Sequence, residues 1–242
     1  MQSIKENDYP DYEVIIVDCT EKKEIEEFVE KYQDKRIRVK RGEKIWTASK
    51  RKNEGAGCAK GEYLIFLAGN AEFEDKEGIS ELVSTCMRSN VGVLGARSYY
   101  KNGTLEHAGC VIGMNGSAGS LFWNIRFEER KDIFSHIVTQ MQYSAVAGAC
   151  MMVKKDAFDK VKGFDEAYKG ELGKVDLCLK IRNKHMSVVY NPYVKVMRWS
   201  NGLRNNENDE KLFKKQWAEI LEKDDPYYNK NLSLSVSGCN IR

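Results

Sequence analysis

Between residues 13 and 96 the chain alternates short apolar runs with segments of helical period, and this alternation limits the fold more than any other feature. Residues 13–18 (Glu-Val-Ile-Ile-Val-Asp) and 63–67 (Tyr-Leu-Ile-Phe-Leu) are continuous apolar runs of strand length, as expected of strands buried on both faces. Ile25, Phe28, Val29 and Tyr32 recur at helical spacing, residues 37–40 read as a second strand, and 46–59 as a helix lined with small residues. Ile79, Leu82, Val83, Cys86 and Met87 mark a further helix and 91–96 a further strand. This order predicts an α/β fold, with a mostly parallel central sheet flanked by helices and Rossmann-like right-handed crossovers. Ligands of such sheets sit beyond the carboxyl ends of the strands, which marks Asp18 and the segment after Leu67.

The second half is more mixed. Asn102-Gly103 signals a hairpin. Residues 146–153 read as a strand, 155–161 as a short helix closed by Gly163, 175–183 as a helix and 187–190 as a strand. Leu212, Phe213, Trp217, Ile220 and Leu221 make an amphipathic helix, and the tail from Asp224 is expected to pack on the domain. A net charge of +3, with acids and bases interleaved, gives no reason to expect a nucleic-acid partner. The seven cysteines include no CxxC pair and most have apolar neighbours, so they read as free buried thiols in a reducing compartment. With neither a secretory leader nor an apolar run of membrane-spanning length in the sequence, a cytoplasmic location is expected.

Several segments, in order, resemble family 2 glycosyltransferases of bacterial polysaccharide and rhamnan-type synthesis. They are residues 9–18, Lys52-Asn53-Glu54-Gly55, residues 60–67, Gly95-Ala96-Arg97, Asn102-Gly103-Thr104 and His107-Ala108-Gly109. Val146 to Cys150, Gly163-Phe164-Asp165-Glu166, Val175 to Leu179, residues 225–229 and Asn231-Leu232-Ser233 continue the series. The resemblance implies a GT-A fold over residues 1–203, with 204–242 as a C-terminal helix and tail. It also implies transfer of a sugar from a nucleotide diphosphate sugar to a glycan acceptor.

That chemistry makes three demands. The nucleotide needs a carboxylate and a shaped cleft; Asp18 stands where the family places its nucleotide-binding acid, with Lys52 and Asn53 as further cleft candidates. A strand-end Asp capping the next helix is the competing reading of Asp18. The departing diphosphate needs a divalent cation held by carboxylates. The family's Asn-Asp-Asp-like run is here Ala68-Gly69-Asn70, so no metal ligand is assigned, and Mg²⁺ or Mn²⁺ would bind only if Asn70 and Glu72 suffice. An inverting enzyme needs a carboxylate base at the acceptor hydroxyl. The family's acidic pair is here Gly173-Lys174, which leaves Asp176 as a displaced base or as a structural residue at a helix start, with Glu171 just upstream. His107 is given a packing or acceptor-side role. Arg198 follows Asn191-Pro192-Tyr193 where the family carries histidines, and with Lys174 it could stand in for a metal at a diphosphate. This idea requires both cations to lie near the ends of the first-half strands.

The resemblance also implies that the usual first strand, central between residues 13–18 and 63–67, is missing. Its slot is expected to be filled or closed, for instance by the strand-like stretch 232–236 from this chain or, through tail exchange, from a second copy in a homodimer. Two readings of function follow. One is a transferase with an altered, impaired site. The other is a non-catalytic module that binds a nucleotide sugar, a glycan or a partner enzyme.

Overall fold

The computed structural model describes residues 1–126, 135–200 and 205–235. The first half contains α1 (Gln2–Lys5), β1 (Val14–Asp18), α2 (Glu24–Tyr32), β2 (Ile37–Arg41), α3 (Ala48–Cys58), β3 (Tyr63–Leu67), β4 (Ala71–Phe73), α4 (Gly78–Cys86) and β5 (Val91–Tyr100). There follow β6 (Leu105–His107), β7 (Cys110–Ile112), β8 (Ala118–Ser120), α5 (Ser135–Val138), β9 (Met141–Gln142), β10 (Cys150–Lys154) and α6 (Lys155–Lys160). The chain then forms α7 (Leu172–Arg182), β11 (Ser187–Arg198), α8 (Glu207–Gln216) and α9 (Ala218–Leu221).

The main sheet has the order β3-β10-β5-β11-β4, with β6 on β5 and β9 on β11. β3, β5 and β11 share one direction, because β10 is antiparallel to both β3 and β5 while β5 and β11 are parallel. The expected parallel strands are therefore present, but β10 intercalates between β3 and β5 and makes most neighbouring pairs antiparallel. Alternate residues of β10 enter different cores. Met151 and Val153 join α6 and α7 on one face, and Cys150 and Met152 join α4 on the other. The Asn102-Gly103 hairpin forms between β5 and β6, with Gly103 at φ +81.

The strand expected from Val146 begins at Cys150. Gly148 adopts φ +75, and a Cβ there would meet the Ser98 hydroxyl at 2.6 Å, so residues 146–149 pack as a close-fitting irregular segment. β11 runs to Arg198, well beyond the expected end at Tyr190, through a register shift between Asn191 and Lys195. The boundary expected at residue 203 falls outside the described residues. Beyond it, α8 packs on α7, and the Asp225 carboxylate accepts from Ile112 N and Ser144 Oγ, each at 2.7 Å. The described cysteines are all free; Cys86, Cys110, Cys150 and Cys178 are buried, whereas Cys19 and Cys58 are partly exposed. Among the described residues no helix is long and apolar enough to cross a membrane.

The expectation of a filled or closed slot is not met. β1 and β2 form a separate two-stranded parallel sheet, and β3 pairs only with β10. The described part of the tail lies elsewhere. Leu234 O accepts from Asn115 N at 2.7 Å, and Leu234 packs beside Gly113 of its own chain. Leu234 is held there because its side chain is drawn into the larger apolar core.

Candidate functional site

α3 presents its polar residues to different surroundings. Thr47 caps its amino end by accepting from Lys50 N at 3.1 Å. Asn53 is fully used by one clamp: Nδ2 donates to Phe164 O at 2.9 Å and to Glu166 Oε1 at 3.0 Å, while Oδ1 accepts from Phe164 N at 2.9 Å. Gly163 (φ +68) lets the chain approach, since a Cβ there would stand 2.7 Å from Asn53 Oδ1. The Asn-Glu-Gly and Gly-Phe-Asp segments are thus two halves of one lock, and the Asn53 amide is not aimed at a ligand.

Lys52, next along α3, is half-buried, and its ammonium lies 5.0 Å from the Phe164 ring centre. Loss of water pushes its pKa down to about 7, and the neighbouring Lys174 and Arg198 add repulsion against a smaller pull from Glu171. Lys174, on α7, donates to Gly148 O and pairs with Glu171 Oε2 at 2.7 Å. Burial alone would push the Glu171 carboxyl up; Lys174 and Lys52 outweigh it and hold it below its ordinary value.

Arg198 ends β11. Its Nε donates to Asn70 Oδ1 at 3.1 Å, and its Nη1 is bonded to Glu106 Oε1 in a buried ion pair. Asn70 Nδ2 in turn donates to Ser200 Oγ at 2.7 Å. Asn70 follows β3 directly, and Ala68 N bonds Ala149 O beside Gly148. Arg198 and Lys174 therefore both stand at the carboxyl end of β3, which meets the requirement set for the two cations. Sequence reasoning missed Glu106. It is a buried acid between Leu105 and His107, and its Oε2 has no hydrogen-bond partner among the described residues. An acid placed within a buried hairpin strand was the available signal.

A divalent cation does not fit these residues. The single oxygen that Asn70 offers already accepts from a guanidinium, so a fixed positive charge lies where the metal would bind. Among the described residues no cluster of three His, Cys, Asp or Glu side chains could hold a metal.

Two other candidates are tied into the scaffold. Asp18 Oδ2 contacts Arg41 Nη1 at 2.6 Å and Oδ1 accepts from Thr20 N at 2.8 Å. Burial would raise its pKa, but the Thr20 bonds and Arg41 lower it below the ordinary value. Asp176, with no exposed surface, accepts from Trp217 Nε1 at 3.1 Å and lies 3.4 Å from Lys180 Nζ. His107 is also fully buried. Its Nε2 accepts from Gly109 N and Ala147 N, which leaves the proton on Nδ1 facing Ser120, and desolvation lowers its pKa to about 3.

Comparison with known proteins turns on a family model. The glycosyl transferase family 2 model matches residues 1–162. The chain belongs to this family. It is 29% identical over 240 residues to the O-antigen biosynthesis protein RfbC of Myxococcus xanthus, covering 97% of this chain and 19% of that protein. It is 30% identical over 241 residues to the uncharacterized protein y4gI of Sinorhizobium fredii (strain NBRC 101917 / NGR234), covering 93% and 26%. The chain thus spans about a fifth to a quarter of the length of these curated relatives. Solved structures show the same GT-A fold. The crystal structure of GalNAc-T7 with UDP, GalNAc and Mn²⁺ aligns at TM-score 0.65 and 15% identity, over 87% of this chain and 43% of that one. The mannosyltransferase PcManGT of Pyrobaculum calidifontis, in complex with GDP-Man and Mn²⁺, aligns at 0.62 and 14%, over 92% and 59%.

Proposed function

We propose that this family 2 glycosyltransferase module binds the diphosphate of a nucleotide sugar through fixed cations, without a metal, and that sugar transfer by the chain as it stands is impaired. The observation that carries this reading is the convergence of Arg198, Lys174 and Lys52 at the carboxyl end of β3. Three cations face two carboxylates there, Glu106 and Glu171. One positive charge is unbalanced, and a diphosphate would balance it. Guanidinium and ammonium donors can supply the charge a metal would bring to a departing diphosphate. The acceptor class, a bacterial polysaccharide, rests on the O-antigen relative alone. Impairment follows from the carboxylates: Asp176 has no path to an acceptor hydroxyl, and Glu171 is held by Lys174.

One observation favours a second reading, that of an active transferase with a displaced base. Glu106 keeps an unpartnered oxygen inside the cluster. Thermal shift with UDP, GDP, dTDP and CDP, each in EDTA and in Mn²⁺, tests the proposal. At least one nucleotide should raise Tm in EDTA. The Glu106→Gln/Arg198→Gln double variant, which leaves no buried charge alone, should lose that rise. A rise that needs Mn²⁺ would overturn it. Under the second reading, Glu106→Gln alone would keep binding and lose turnover.

A further inference from the structure

β1 and β3 are each five residues long, and each is paired along a single edge, β1 with β2 and β3 with β10. Among the described residues neither has a ladder partner on its other edge. The two strands run in the same direction. Glu13, just before β1, accepts from Lys60 N at 2.6 Å, while a Cβ on Gly55 would stand 3.1 Å from Val17. β1 therefore runs back along α3. β3 does the same, since only four residues separate it from the end of α3. With β2 and β10 on the outer sides, the open edges of β1 and β3 face each other.

The slot between them has apolar walls and unpaired backbone groups. Val14, Ile15, Ile16 and Val17 of β1 are all partly exposed, as are Ile65 and Phe66 of β3. Inside a parallel sheet such residues would be buried on both faces, and their free N–H and C=O groups would be paired. α3 covers one face, where it packs on β1. α1 lies across the other. Lys5 Nζ is 4.6 Å from the Tyr32 ring of α2, Ser3 Oγ accepts from Phe73 N of β4 at 3.2 Å, and Ile4 packs in the cluster that holds Tyr63 and Ile65.

α1 then leads into β1. A helix that crosses a sheet face and feeds a strand of a parallel sheet is the second half of a βαβ unit, whose first strand lies parallel to the one it feeds. We propose that the slot takes a parallel strand of about five residues, apolar on both faces, that runs into α1 as the first strand of a βαβ unit with β1. Such a strand would pair with β1 on one side and β3 on the other. The turn leaving its carboxyl end would stand between Asp18 and Asn70, and would wall the candidate site on a side that is now open. The inference rests on strand geometry alone and does not depend on the proposed ligand.

The test fuses a five-residue strand and a short turn ahead of Met1 of the 242-residue chain. Two versions, one rich in Val and Ile and one rich in Val and Thr, guard against aggregation of either. A version with Pro at the central strand position is the control. The readouts are Tm and amide exchange in Val14–Asp18 and Tyr63–Leu67. Either strand should raise Tm by about 5 °C or more and slow exchange in both segments roughly tenfold, with the Pro control unchanged. If neither fused strand does better than the Pro control, the proposal fails. If the same peptide added free protects both segments as well as the fused one, the slot is a docking surface for a second polypeptide, and the assignment to a strand entering α1 is overturned.

Discussion

Replacing Asp176 separates a packing role from a catalytic one. The carboxylate has no exposed surface, accepts from Trp217 Nε1 at 3.1 Å and sits 3.4 Å from Lys180 Nζ. Asp176→Ala removes a charge-assisted hydrogen bond of about 1.5–3 kcal/mol and leaves the Trp217 N–H unpaired in the core, so a loss of about 3 kcal/mol is expected. In a chain of this size that corresponds to a Tm lower by roughly 6–12 °C. Asp176→Asn should cost only about 1 kcal/mol. Its amide oxygen can still accept from Trp217, and Lys180 keeps its 2.7 Å bond to Gly163 O. Burial also raises the Asp176 pKa, above all by removing water. The folded state therefore disfavours the charged form, and the stability contributed by this group declines as pH rises from 3.8 through the raised value. Asparagine avoids that cost. Urea denaturation and thermal scans of both variants measure these losses. An Asp176→Ala protein with unchanged Tm and abolished sugar transfer would refute the packing assignment and restore Asp176 as the base.

Further outcomes follow from the same geometry. His107, lowered to about 3 from 6.5, is neutral in the folded chain, so stability should fall as pH drops below 6.5, by roughly 1 kcal/mol per unit down to about 3. His107→Gln should flatten that part of the urea-midpoint profile against pH. Gly163→Ala should destabilise by about 1–3 kcal/mol, because it forces φ +68 on a residue whose Cβ would meet Asn53 Oδ1 at 2.7 Å; the urea midpoint reports this. Lys52, with a pKa of about 7, should be acylated ahead of the exposed lysines at pH 7.5, read by peptide mass mapping, and a bound nucleotide diphosphate should protect it.

Much of the fold is legible in the sequence because burial writes itself into residue type. β1 and β3 stand out as unbroken apolar runs, and Asn102-Gly103 marks a turn that needs positive φ. β10 is harder to delimit. Its start depends on the packing of Gly148 against Ser98 and His107, residues about 40–50 positions away. The site was read less well for a related reason. A polar residue at a strand end or on a helix shows its type but not the direction of its hydrogen bonds. Asn53 turns to Phe164, Asp18 to Arg41 and Asp176 to Trp217, all partners distant in sequence. Arg198 and Lys174 were legible because each occupies a position where the family's chemistry calls for a different residue type. Glu106 was overlooked because nothing in the neighbouring residues shows that Arg198 comes to meet it.

The central claim is that fixed cations replace the metal. Calorimetric titration of the chain with the nucleotide diphosphate that gives the largest thermal shift, first in EDTA and then in Mn²⁺, tests it most directly. The account predicts the same Kd in both, weakening as salt rises and at least tenfold weaker in Glu106→Gln/Arg198→Gln. Binding seen only with Mn²⁺ would contradict it, and so would binding that the double variant leaves unchanged.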